Sequence, residues 1–145
     1  MPDYIQLAPA ALLERIARTL KTGIGPAVEA AYPKTQAFMA AVVLQKLAGQ
    51  LRLADDHAAA DRRDLQELAA ELSTELNTAT LATPPSLRAA VHSLDHDRDT
   101  ASVSRLIEAL YATRSELGEE RFHSLIGRVR ARLRARIDRE MVYAA

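Results

Sequence analysis

The 145-residue chain has no cysteine and no tryptophan, only two Phe and four Tyr, five Gly and six Pro, and its 19 basic side chains are balanced by 19 acidic ones. Without cysteine there are no intrachain disulfides, thiolate metal sites, iron–sulfur clusters or cysteine nucleophiles. A formal charge of zero and a pI near 6.9 provide no global field to draw the chain to nucleic acid or to an anionic membrane. The longest uncharged apolar run, residues 35–45, is well short of the roughly 20 residues that span a bilayer. The opening MPDYIQLAPA lacks the basic-then-apolar order of a secretory signal. The expectation is a cytoplasmic protein with neither a nucleic-acid nor a membrane partner.

What is abundant is Ala, Leu, Glu and Arg, all good helix formers, while the residues that favour strands are scarce. Gly and Pro fall at Pro9, Gly23 to Pro26, Pro33, Pro84–Pro85 and Gly118, where helices would start or stop. The spacing predicts a helix over about 9–22, with Leu12, Leu13, Ile16 and Leu20 in one stripe, then a short turn over 26–31. A helix over 33–53 carries Phe38, Met39, Val42, Val43, Leu44, Leu47 and Leu51 around more than half its circumference. That breadth predicts the central, most buried helix. Another, over 58–78, has a narrow seam of Leu65, Leu68, Ala69, Leu72 and Leu76, with Glu67, Glu71 and Glu75 on a different face. Ser86 is placed to cap a short helix, and helices over 100–117 and 119–143 complete the chain. Residues 127–137, GRVRARLRARI, alternate as a strand would, but Phe122, Leu125, Ile126, Val129, Leu133, Ile137 and Met141 share one helical face. The fold class is therefore all-α: an antiparallel helical bundle of four long helices plus one or two short ones, in a single domain spanning 1–145.

Charge is segregated although it sums to zero. Residues 54–78 hold two basic and seven acidic groups, whereas 119–145 hold seven basic and four acidic. These two helices could pair with each other or face separate partners. Arg121, Arg128, Arg132 and Arg139 form a flank beside the apolar stripe of the last helix and are the candidate partner-binding residues. Arg114 and Arg136 lie within apolar faces. An arginine there needs either a stem that reaches water or a buried anionic partner.

Reactive constellations are few. His92 and His96, four apart with Asp95 and Asp99 nearby, have plausible spacing for zinc or another divalent ion, but they also read as a polar helix end. Glu120-x-x-His123 matches one half of a di-iron pair and has no second copy in the chain. Phosphate-binding, dinucleotide-binding, nucleophile-elbow and zincin motifs are absent. No catalytic residue, metal ligand or cofactor is assigned.

Leu12-Leu13-Glu14-Arg15-Ile16, Ile24-Gly25-Pro26-Ala27-Val28, Tyr32-Pro33-Lys34-Thr35-Gln36-Ala37 and Gln50-Leu51-Arg52-Leu53 together resemble a small helical bacterial family of unknown function. Its members are encoded beside aminoglycoside-phosphotransferase-like kinases and acyl-CoA dehydrogenases. The likeness covers the first half of the chain and implies an accessory protein to a kinase-like enzyme. The expected function is non-enzymatic association, with a protein partner or with itself. The alternative is a metal-dependent or small-molecule-binding enzyme using the His92/His96 region.

Overall fold

The computed structural model describes residues 8–143. Among them every regular element is helical and no strand occurs, so residues 127–137 lie in a helix despite their alternation. The elements are α1 (Pro9–Thr19), a π-helical turn (Leu20–Ile24), α2 (Gly25–Ala27), α3 (Ala31–Thr78), α4 (Pro85–Asp97), α5 (Thr100–Ala112), α6 (Arg114–Leu117), α7 (Glu119–Glu140) and a closing 3-10 turn (Met141–Tyr143). The chain divides into two compact units, one of residues 8–56 with 141–143, the other of His57–Glu140.

The two helices expected over 33–53 and 58–78 are one 48-residue helix. Between them the sequence is Ala54-Asp55-Asp56-His57, with neither Gly nor Pro, so no residue interrupts the hydrogen-bond ladder. The residues up to Asp56 belong to the first unit and those from His57 to the second.

In the first unit, Pro9 sits in the opening turn of α1, where its missing N–H costs nothing. The chain reverses at Val28, which is extended (φ −82°, ψ 120°), and returns as α3. Two contacts set the pairing. Gly25 backs onto the Phe38 ring near the reversal, and Glu14 is ion-paired with Arg52 at the far end, so α1 and the first part of α3 form an antiparallel hairpin. A Cβ on Gly25 would stand 2.9 Å from the Leu20 carbonyl oxygen and 3.0 Å from that ring, so glycine is what permits this approach. The buried apolar side chains of this unit are alanines, Ala17, Ala41 and Ala48.

The second unit closes a core of ordinary size. Leu68, Leu72 and Leu76 of α3, Leu87, Val91 and Leu94 of α4, Val103, Leu106 and Leu110 of α5, and Leu117, Phe122, Leu125, Ile126 and Val129 beyond it form one buried cluster. Neighbouring helices run antiparallel. Arg88 reaches Asn77 and Arg98 reaches Gln66 between α4 and α3, and Tyr111 packs edge-on against Phe122, 5.1 Å between ring centroids, between α5 and α7. The second unit is thus an up-down-up-down four-helix bundle, as the period-3.6 stripes predict.

Its boundaries follow local chemistry. Pro85 begins α4 behind Pro84, and Ser86 makes no cap, because a proline already fixes the first turn. Asp99 caps α5, accepting from the Ser102 backbone N–H at 2.7 Å while the Ser102 hydroxyl accepts from the Asp99 N–H, a reciprocal capping box. The helix expected over 100–117 bends at Thr113, and Gly118 (φ 80°) ends α6 in a conformation that disfavours side chains.

Candidate interaction surfaces

The hairpin exposes what the sequence expected it to bury. Leu12 and Ile16 in its first arm, and Phe38, Met39, Val42, Val43, Leu47 and Leu51 in its second, are all exposed, and so are Ile24 and Tyr32. The helix marked by its broad apolar surface as the most buried is the one with most apolar side chains in water. The physical reason is the size of the contact residues. Alanines let two helices approach closely but cover little, so the large side chains around them stay uncovered.

Five of these residues converge. At 100° per residue, with Ala17 turned towards Ala41 and Ala48 across the antiparallel pair, Leu12 and Ile16 of α1 and Val43, Leu47 and Leu51 of α3 come to the same side of the hairpin. They are between 42% and 54% exposed. Leu13, Leu20 and Leu44, half-buried, lie on the α1–α3 seam of that side. Leu12, Ile16, Leu20 and Ile24 also line a shallow apolar groove.

The arginine flank of α7 meets the acidic face of α3 inside the second unit. Arg128 pairs with Glu75 at 3.0 Å and Glu71 at 3.5 Å. Arg132 reaches Glu71 at 2.7 Å, Glu67 at 3.0 Å and Asp64 at 3.5 Å. Arg139 is ion-paired with Asp61 and holds Asp64 at 2.7 Å. Arg121 donates to the Thr83 hydroxyl at 3.3 Å. The ladder runs antiparallel along the two helices, each guanidinium one or two turns from the next.

Burial works to lower the Arg132 pKa, but the hydrogen bond and charge of Glu71, then Glu67 and Asp64, outweigh it and raise it above the usual value. Arg139 is likewise raised, first by its hydrogen bond to Asp61. Three of the four arginines named from the sequence thus have their charge matched within their own unit, and the acidic stretch 54–78 supplies the partners. The small hollow beside the ladder is lined by Asp64, Leu65, Val103, Arg132 and Leu133, whose charged groups are members of the same pairs.

The two arginines within apolar faces find partners as well. Arg114 grips Glu119 through two bonds of 2.8 and 2.7 Å and lies 4.9 Å from the centre of the Phe122 ring. Arg136 bridges Glu140 at 3.1 Å and Asp61 at 3.4 Å.

The histidines named from the sequence join no cluster of three or more possible metal ligands among the described residues. His92 is exposed on α4, and His96 bonds Asp97 at 2.8 Å where the helix ends at Arg98, left-handed at φ 49°. Hydrogen bonds from His96 and Ser93 hold the Asp97 carboxyl below its ordinary pKa. His123 turns to the Glu119 carbonyl at 2.7 Å, away from a shared site with Glu120. Among the described residues no group of three or more His, Asp or Glu side chains could hold a metal ion. No helix among them is long and apolar enough to cross a membrane.

No family model, curated protein or solved structure matches this chain.

Proposed function

We propose that this is a non-enzymatic, cytoplasmic helical interaction protein, whose working surface is the apolar side of the N-terminal hairpin. One observation carries the reading: Leu12, Ile16, Val43, Leu47 and Leu51 stand together in water on a unit whose own core is three alanines. Contiguous apolar surface of this kind marks sites of association. The second unit offers less, because its large side chains already fill one core and its charge ladder is internally matched. The arginine flank then serves the internal packing of the second unit, with Arg121 at its edge.

Migration of the protein in extracts of the cells that make it tests this. The intact chain should run in an assembly larger than its own 15.9 kDa, and the double variant Val43→Glu, Leu47→Glu should run alone. An intact chain running alone in the extract overturns the reading.

A further inference from the structure

We infer that the occupant of the hairpin's apolar side is a second copy of this chain, two hairpins closing into a four-helix bundle about a two-fold axis. The inference rests on the association reading and names its partner.

Three features of the hairpin favour its own copy. First, it is half of a bundle. Two helices that fully bury only Ala17, Ala41 and Ala48 between them have no enclosed layer of large side chains to stabilise them, and isolated helices of this length are marginal in water. A second hairpin supplies two helices that complete a four-helix core.

Second, the side in question is apolar on both helices, which a bundle core requires and a single docked peptide does not. Leu12 and Ile16 come from one arm, and Val43, Leu47 and Leu51 from the other. With Leu13, Leu20 and Leu44 they offer on the order of 600 Å² before any polar rim is counted, close to the roughly 800 Å² that each partner contributes to a standard interface.

Third, the hairpin carries charges of both signs: Glu14, Glu29, Asp55 and Asp56 against Arg15, Arg18, Lys21, Lys34, Lys46 and Arg52. It does not call for a strongly charged partner, and a self-complementary patch is what a two-fold interface needs. Leu47 lies between Val43 and Leu51, in the middle of the face on the second arm. A two-fold axis crossing the helices there brings Leu47 close to its own copy.

The test is the mass of the purified full-length chain by light scattering on a sizing column. A mass of about 32 kDa, twice the 15.9 kDa chain, is expected, and Val43→Glu with Leu47→Glu should weaken self-association at least tenfold. A charged variant could also loosen the hairpin, so proximity is measured separately. The chain has no cysteine, so Leu47→Cys should be joined to its own copy by a short bis-maleimide, and Ser104→Cys on α5 should not.

A monomer at about 100 µM that binds an apolar dye overturns the second copy and leaves the association reading standing, with a kinase-like enzyme as the next occupant to try. A monomer that binds no dye overturns both. A mass well above two chains overturns the closed two-fold arrangement.

Discussion

The two units use the same amino acids to opposite ends. In the second, leucines at helical spacing meet leucines on three other helices, and Leu94, Leu106, Leu110 and Leu125 are fully enclosed. In the hairpin, equally apolar positions face water, because the helices touch through alanines. The difference shows that apolar content does not measure burial. Burial depends on how many helices are present to cover each face, and a pair cannot cover what a quartet can.

The sharpest way to break this contrast is to cut equal pieces from both units. Leu106→Ala or Leu125→Ala should cost about 3 kcal/mol in urea unfolding, since each leaves a cavity in a closed core. Leu47→Ala, at a position 42% exposed, should cost less than about 1 kcal/mol once the protein is dilute enough to be monomeric. Equal losses would mean that the hairpin face is covered within one chain.

The charge ladder comes next. Arg132→Met removes one guanidinium from Asp64, Glu67 and Glu71 together and should cost about 1–2 kcal/mol, intermediate between exposed and buried pairs. The loss should shrink in high salt. Chemical denaturation at two ionic strengths checks it, and an unchanged midpoint would return Arg132 to the pool of residues free for a partner.

Gly25→Ala acts on the other unit alone. Its Cβ meets the Leu20 carbonyl and the Phe38 ring, so the hairpin should lose about 1–2 kcal/mol. Amide exchange should quicken in α1 and leave α5 and α7 unchanged.

The smallest effect is on the acid side and belongs to the second unit. Asp99 is held below its usual pKa by the Ser102 backbone N–H and hydroxyl, Asp97 by His96 and Ser93, and Glu119 by Arg114. A carboxyl depressed in the folded state stabilises fully above its unfolded pKa, about 4, and loses that contribution as pH falls through the folded value. Thermal melts should therefore drop between pH 5 and 3. Asp99→Asn, which can still cap α5, should keep the melting temperature at pH 7 and flatten the acid decline. A decline as steep as that of the native chain would exclude Asp99 as a contributor.

Much of the fold is legible along the chain. The all-helical class, the start at Pro9, the break at Pro84–Pro85, the stop at Gly118 and the leucine seams of the bundle all follow from local propensity and 3.6-residue spacing. Two features are not. Residues 54–57 read as a connection because the apolar pattern changes there, yet nothing in them stops a helix. The breadth of apolar surface over 38–51 reads as burial because a sequence does not record how many neighbours a helix will have. The candidate surface was hidden for the same reason: Val43 and Leu47 look like core until the partners around them are counted.

The arginines repeat the lesson. Their place on one flank of α7 is written in the spacing of Arg121, Arg128, Arg132 and Arg139, and the acidic repeat of Glu67, Glu71 and Glu75 is equally plain. Whether the two stripes face each other depends on long-range packing. The primary structure thus determined which segments are helical and where charge and grease lie on each, since those are local properties. Only the tertiary structure decided that α7 turns its arginines to α3 and that the hairpin keeps its leucines in water, because both depend on which helices stand side by side.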